Sequence, residues 1–319
     1  MVIPSTLDGE PVKAVGEYAF KNEDETACQI TGVTIPEGVT SLGDGTFRRC
    51  KNLSSVVIGD GVTKIGRNTF LGCTSLSEIT LGKNVSAIDD EAIEMCDGLT
   101  TITVDKNNKT YCSKDGVLYN KKMTELILCP SRKSGSFTIP DGVTTIGEKS
   151  FYYCESITDI TIPESVVNIG NSAFAECDGI KSVKIPSKVK AIGEYAFNSC
   201  TNLTDITIPN GVKSIGGYAF AHCESLQRIK LPKSITGIGE AAFASCKSLV
   251  EIPDISGITV LSEDVFHFCD SLTTVSIPKS VKKISYDAFT RSEKLTDVTY
   301  KGKTYSYANI SELYAAING

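Results

Sequence analysis

The sequence predicts a repeat solenoid, a right-handed superhelix of about eleven 23-residue repeats, each with one parallel strand and one short helix. Phe recurs at intervals of 23 residues from Phe151 to Phe289, and Cys follows it by three residues in nearly every repeat. A longer register, I-P-x-x-V-x-x-I-G-x-x-A-F-x-x-C-x-x-L-x-x-I-x, is clear in residues 162–184 and 185–207. Agreement at this many positions is a stronger signal than any short motif.

The strand of each repeat is predicted from alternating apolar residues. Ile160 and Ile162 lie on either side of Thr161, which is the period of two expected for a strand with one buried face. Pro163 follows directly, and proline ends a strand because it lacks the N–H donor that a ladder needs. The same pattern recurs in later repeats, so the strands are expected to stack in parallel.

A turn and a short helix are predicted after each strand. Glycine occupies one position of the turn in successive repeats, which indicates either a positive φ or a close backbone approach. These glycines are Gly147, Gly170, Gly193, Gly216 and Gly239. The A-F-x-x-C segment that follows is expected to form a short helical turn, with Ala at the stacking contact and Phe in the core.

The recurring Phe and Cys residues predict two structural ladders. Since no C-x-x-C pair occurs and no His recurs beside the Cys, the thiols are expected to be buried and reduced, with no metal. Cys28, Cys112 and Cys129 lie outside the register, and Cys112 and Cys129 could pair. The ladders comprise Phe47, Phe70, Phe151, Phe174, Phe197, Phe220, Phe243, Phe266 and Phe289, and Cys50, Cys73, Cys96, Cys154, Cys177, Cys200, Cys223, Cys246 and Cys269.

A single domain of residues 1–319 is expected, with caps at both ends and one insert. Residues 1–34 form the N-terminal capping repeat, 35–104 and 140–299 the repeats, 105–139 the insert, and 300–319 the C-terminal cap. The insert contains GVLYN and ELILC on either side of NKKMT, which predicts a β-hairpin or one malformed repeat. It would serve as a structural splint or as a binding feature. The C-terminal cap is predicted to be a helix, from the spacing of Ile310, Leu313, Tyr314 and Ile317.

Composition argues against several function classes. The formal net charge is −6 and no basic stripe occurs, so a nucleic-acid partner is not expected. No apolar run is long enough to span a membrane. The opening MVIPSTLDGEP does not resemble a signal peptide, which leaves a cytosolic protein or a secreted one whose signal was removed. There is no Trp and only two His, which makes an enzyme less expected.

The candidate binding residues lie at outward strand positions. These positions are rich in Thr, and five charged residues of both signs interrupt them: Asp159, Lys184, Asp205, Arg228 and Lys230. They indicate either a ligand-binding sheet or simple solubility, since Thr suits exposed strands.

Two minor sites complete the candidates. Asp89, Asp90 and Glu91 could hold calcium or form a solvated acidic turn. His222 and His267 are two repeats apart, so a shared metal is not expected. The prediction is therefore no metal, no cofactor and no catalytic residue.

The register resembles a known family, the BspA-like (Treponema-type) leucine-rich repeats of bacterial surface proteins. The register itself, the opening IPSTLDGEPV, the insert DGVLYNKK and the ending YKGKTYSY carry the resemblance over nearly the whole chain. It implies a leucine-rich-repeat-like fold, a secreted or cell-surface location in a bacterium, and adhesin-type binding of host or bacterial proteins. The family offers no catalytic residues to assign.

The expected function is a non-enzymatic binding module, an adhesin or protein-recognition solenoid. Its partner would be a host or bacterial macromolecule, a protein in the first instance, bound by a monomer. Two alternatives remain open: a catalytic solenoid acting on polysaccharide, for which Asp205, Arg228 and Lys230 are the only mixed cluster, and a passive surface spacer.

Overall fold

A computed structural model describes residues 1–21, 29–89 and 91–318. It confirms the predicted fold class, a parallel-strand β-solenoid with about 12 turns of about 23 residues and one C-terminal α-helix. The chain divides into two compact units, Met1–Lys133 and Ser134–Gly319, which are described in turn.

In the first unit, equivalent strands of successive turns pair in parallel and form two ladders. The first ladder joins β4, β6, β8 and β10, and the second joins β3, β5, β7 and β9. Val33 pairs with Val56 and Val56 with Ile79, which is a shift of one repeat at each step. The strands are β1 Thr6–Leu7, β2 Glu10–Pro11, β3 Ala14–Val15, β4 Gly32–Ile35, β5 Ser41–Leu42, β6 Ser55–Ile58, β7 Lys64–Ile65, β8 Glu78–Leu81, β9 Ala87–Ile88, β10 Thr101–Val104, β11 Tyr111–Lys114, β12 Val117–Asn120 and β13 Glu125–Leu128.

Antiparallel strands occur at the N-terminal cap and in the insert. β1 and β2 form a small hairpin inside the predicted cap. The predicted insert hairpin is confirmed as β12 and β13, with Tyr119 opposite Leu126, and an unpredicted strand, β11, pairs with β12 ahead of it. Residues 135–138 do not belong to the insert, because they form the first repeat strand of the second unit.

The second unit has the same two rows of parallel strands, divided into several shorter sheets, and it ends in a different structure. β26 pairs antiparallel with β27, and a 3₁₀ helix, Tyr307–Asn309, leads into α1, Ile310–Asn318. Leu313, Tyr314 and Ile317 are buried, which confirms the predicted capping helix. The strands are β14 Gly135–Thr138, β15 Thr145–Ile146, β16 Ile157–Thr161, β17 Asn168–Ile169, β18 Ser182–Lys184, β19 Ala191–Ile192, β20 Asp205–Thr207, β21 Ser214–Ile215, β22 Gly237–Ile238, β23 Val260–Leu261, β24 Thr274–Ile277, β25 Lys283–Ile284, β26 Asp297–Tyr300 and β27 Lys303–Ser306.

The Phe column lies at the centre of the core, as predicted. Phe174, Phe197 and Phe220 are fully buried. Their rings stack nearly parallel, with centroids 5.2 Å apart for Phe174 and Phe197 and 5.6 Å apart for Phe197 and Phe220. Each turn therefore buries its Phe against the neighbouring turns, which a single repeat could not do alone.

The A-F-x-x-C segments are tight turns, which corrects the predicted short helix. Ala175 N–H donates to the Ser172 carbonyl three residues back, while Phe174 N–H donates to Ala196 in the next turn. In an α-helix both N–H groups would point along the helix axis and bond to carbonyls four residues back in the same helix. The backbone instead takes left-handed conformations at Ser172 (φ 52°) and Glu176 (φ 59°), and these interrupt helical winding.

The repeated glycines serve close approach. A Cβ on Gly216 would lie 2.6 Å from the Glu194 nitrogen of the preceding turn, and one on Gly170 would lie 2.7 Å from the Glu148 nitrogen. Of the two alternatives that the sequence left open at these positions, the structure shows the close backbone approach. The left-handed φ lies two residues later, at non-glycine residues.

Candidate functional site

The Cys ladder is a hydrogen-bonded ladder. The Cys200 thiol donates to the Phe174 carbonyl at 3.1 Å, and the Cys223 thiol donates to the Phe197 carbonyl at 3.2 Å. Near the C-terminus, the Ser292 hydroxyl takes the equivalent bond to Phe266 at 2.9 Å. The sequence pattern alone indicates only small apolar groups at these positions. Ser292, which stands in the Cys register, was the available signal that the position needs a donor.

Burial keeps these thiols protonated. It raises the pKa of Cys96 and Cys269 to about 12, and it raises the pKa of Cys223 and Cys246 well above the usual value. Because the thiolate is the reactive form, these four residues have the character of inert structural groups.

Two cysteines outside the register flank the insert hairpin. Cys112 and Cys129 do not form the disulfide that the sequence left open. Cys112 is half-buried, and burial raises the pKa of its thiol. Cys28 lies outside the described residues.

The five candidate binding residues are all exposed on one strand face of the second unit. Asp159 lies in β16 and Lys184 ends β18. Lys184 aligns with Thr207, and Thr207 aligns with Lys230, so these three form one column across three turns. The same register puts Arg228 beside Asp205 in the parallel column. The sequence-predicted set is thus brought together on four successive turns.

Salt bridges on this face are solvent-exposed. Arg228 Nη1 lies 2.6 Å from Glu251 Oε1, and Lys184 Nζ lies 3.6 Å from Glu164 Oε1. The Arg228 and Lys184 side chains are 66% and 77% exposed. Exposed ion pairs of this kind contribute little to the free energy of unfolding, because solvent screens the charges. The charged groups can therefore exchange their present partners for those of another molecule at small cost.

A notch interrupts the strand face one turn beyond Arg228. It is a cavity of about 380 Å³ lined by residues 251–255 together with Thr274, Ser276 and Pro278. Sequence reasoning missed it, although a signal was present. Proline ends the neighbouring strands at Pro232 and Pro278, but in this turn it comes two residues early, at Pro253.

The acidic turn of the first unit is ion-paired. Lys64 Nζ lies 2.8 Å from Asp89 Oδ2, and Arg67 Nη2 lies 3.0 Å from Glu91 Oε2. These contacts favour the solvated acidic turn over a calcium site, while Asp90 lies outside the described residues.

A second acidic group lies in the second unit. Carboxylate oxygens of Glu263, Asp264 and Asp287 lie within 4.8 Å of one another, and the charge of Asp287 raises the pKa of Glu263. Asp264 Oδ1 is also 2.6 Å from His267 Nδ1. His222 is exposed in a different turn, so the structure does not bring the two histidines together.

The chain is similar in sequence and in fold to known leucine-rich repeat proteins. The family model described as a BspA type leucine rich repeat region matches six copies, over residues 13–134, 128–250 and 192–311. A leucine rich cell surface protein from Faecalibacterium prausnitzii is 30% identical, with a TM-score of 0.58, over 93% of this chain and 80% of its own. No curated protein matches the sequence.

Two further solved structures share the fold at lower identity. A leucine-rich repeat protein from Eubacterium ventriosum is 24% identical with a TM-score of 0.69, covering 93% of this chain and 94% of its own. The pneumococcal vaccine antigen PcpA is 19% identical with a TM-score of 0.62, covering 99% and 86%. Among the described residues, no helix is long and apolar enough to cross a membrane.

Proposed function

Because the chain belongs to the BspA-type leucine-rich repeat family, we propose that it is a non-enzymatic protein-recognition module of adhesin type, at the surface of a bacterium or secreted by it. The relative from F. prausnitzii is a cell surface protein, which supports the location. In this proposal residues 1–319 act as one domain and as a monomer.

The observation that carries the proposal is the aligned, exposed charge on the strand face. Lys184 and Lys230 lie on either side of Thr207 in one column, and Asp205 and Arg228 are neighbours in the other. Charges of both signs on a rigid sheet give a partner orientation and a fast association rate, more than raw affinity. Solenoids present such extended surfaces to other macromolecules.

The same geometry speaks against the catalytic alternative. Asp205, Arg228 and Lys230 are exposed, and Arg228 is directed to Glu251. Catalytic groups gain strength in sites that exclude water, where charges are weakly screened. Three side chains on an open sheet are better suited to recognition than to chemistry.

A charge-removal experiment tests the proposal once a partner protein has been isolated from host extracellular matrix or neighbouring bacteria. Changing Lys184, Arg228 and Lys230 together to Ser should weaken binding at least about tenfold, measured by surface plasmon resonance. Wild-type binding should also weaken above about 0.15 M salt, where the Debye length falls below about 8 Å.

The matched control removes three exposed cations in or directly before strands of the other ladder, by Lys190→Ser, Lys213→Ser and Lys283→Ser. It should leave affinity within about twofold, since net charge changes equally but the strand face is intact. Unchanged affinity in the first variant would refute this face and favour the insert hairpin, β12 and β13. Turnover of a polysaccharide or peptide would refute the non-enzymatic function, and a chain that binds no partner would favour the spacer.

A further inference from the structure

The first ladder of the second unit is interrupted between β16 and β18, and again at residues 251–255. Thr207 pairs with Lys230, and β24 pairs onward with β26, but residues 251–255 between them form no strand. In the repeat register Pro253 corresponds to the exposed residues Lys230, one turn earlier, and Ser276, one turn later, but Pro253 itself is buried. Proline has no N–H to donate to a ladder. As a result β24 becomes the edge strand of its sheet.

The notch beside this edge combines a buried apolar floor with exposed acidic walls. Its volume of about 380 Å³ falls within the usual range for ligand pockets, about 300–1,000 Å³. Pro253 and Ile255 are buried and form an apolar floor. The walls carry the exposed side chains of Glu251, Asp254 and Thr274. Both charged residues that line it are acidic.

We propose that the notch binds an extended peptide segment of the protein partner, which adds as a strand to the edge of β24 and brings a Lys or Arg beside Glu251 and Asp254. On its side toward residues 251–255, β24 has no strand partner, and an edge strand of this kind offers backbone donors and acceptors for pairing. The apolar floor accepts a small aliphatic side chain of the same segment. This inference rests on the proposed function and assigns it a specific subsite.

The notch is continuous with the charged strand face. Arg228 lies in the preceding turn, at the rim of the notch. Its Nη1 donates a hydrogen bond to Glu251 Oε1 at 2.6 Å. A cationic side chain in the notch would compete with Arg228 for this carboxylate. Because the Arg228–Glu251 pair is exposed, breaking it requires little free energy. Asp254 keeps its orientation through the bond that Ser256 N–H donates to it at 2.9 Å.

The sequence of an equivalent turn suggests a variant that removes the notch. Pro253→Thr, Asp254→Ile and Ile255→Pro together create Ile-Thr-Ile-Pro, the sequence found in register at residues 206–209. This repaired turn should form the missing strand, with a melting temperature at or above that of the wild type. If the repaired protein melts lower, Ser276→Arg serves instead, because its long side chain fills the notch from an exposed position.

The probe is a displayed library of random heptapeptides selected on the whole wild-type chain. We expect enriched sequences with a Lys or Arg between small aliphatic residues, which bind the repaired or filled variant at least about tenfold more weakly. A proline at the centre of a selected peptide should abolish binding, since backbone pairing is lost. Hydrogen exchange should show new protection at Thr274–Ile277.

The outcomes separate this inference from the proposed function. Peptides that bind wild type and repaired protein equally, or no enrichment at all, would overturn the notch as a site. If the partner protein then still lost affinity for the variant without Lys184, Arg228 and Lys230, the strand-face function would stand alone. If neither variant affected partner binding, both would fall.

Discussion

At the residue scale, tight stacking of turns depends on glycine where two backbones meet. A Cβ on Gly216 would lie 2.6 Å from the Glu194 nitrogen and 2.7 Å from the Gly193 carbonyl carbon. The sequence predicted this position because glycine recurs there. The left-handed residue two places later could not be predicted, since its identity varies from Lys149 to Ser172 and Tyr195. Hydrogen bonds to the next turn hold that conformation, rather than the residue's own preference.

Gly216→Ala should therefore be destabilising, by about 2–3 kcal/mol in the free energy of unfolding, because the new methyl group overpacks a backbone contact. Gly237→Ala is the matched control. Its Cβ would lie no closer than 3.9 Å, to the Ser214 Cβ, so little change is expected. Urea denaturation of both variants measures the difference. Equal losses would show that the close approach does not determine glycine at this position.

At the scale of elements, the end of the ladder is closed by a side chain that imitates a strand. Asn318, at the end of α1, accepts a bond from Ile284 N–H and donates one to the Ile284 carbonyl, both at 2.9 Å. One amide thus satisfies the backbone groups of β25 that a further turn would otherwise bind.

Asn318→Ala should lower the free energy of unfolding by about 1–3 kcal/mol, since two backbone groups lose their partner. Asn318→Asp keeps an acceptor for Ile284 N–H but loses the donor, so an intermediate loss is expected. Glu312→Ala, on the exposed side of the same helix, controls for helix propensity. Thermal melts of the three variants provide the measurement. The melting temperature of Asn318→Ala should be the lowest, that of Asn318→Asp intermediate and that of the wild type the highest.

Sequence patterns predicted the first strand of each turn, the Phe column, the insert hairpin and the capping helix. They missed the second ladder of two-residue strands, which lies where only a turn was expected. The first strand and the Phe column follow from periodicity, because each position is set by burial against an equivalent neighbour. β11 has no equivalent, and its YCSK sequence lacks an apolar alternation. The notch depends on Pro253 coming two residues early, which only a turn-by-turn alignment exposes. The five charged residues were placed correctly on one face, while binding by them remains a prediction.

At the scale of the whole molecule, buried thiols in both units link stability to pH. The folded pKa of Cys96 and Cys269 is about 12, and burial also raises the pKa of Cys223 and Cys246. In the unfolded chain a thiol ionises near pH 8.5. The unfolded state therefore loses these protons first as pH rises. The stabilisation is complete below about pH 8.5 and is lost progressively toward the folded pKa values.

The free energy of unfolding should accordingly be nearly level from pH 7 to 8 and fall between pH 8.5 and 9.5. Each thiol that ionises only on unfolding contributes up to about 1.4 kcal/mol per pH unit. A double variant, Cys223→Ser and Cys246→Ser, keeps a hydrogen-bond donor at each position, as Ser292 does, and removes two titrating groups. Its free energy of unfolding should therefore fall less steeply with pH, by an amount that corresponds to at most two fewer protons released on unfolding. Urea unfolding at each pH gives both slopes. Identical slopes, or rapid labelling of these thiols in the folded protein at pH 8, would show that they are not protected by burial.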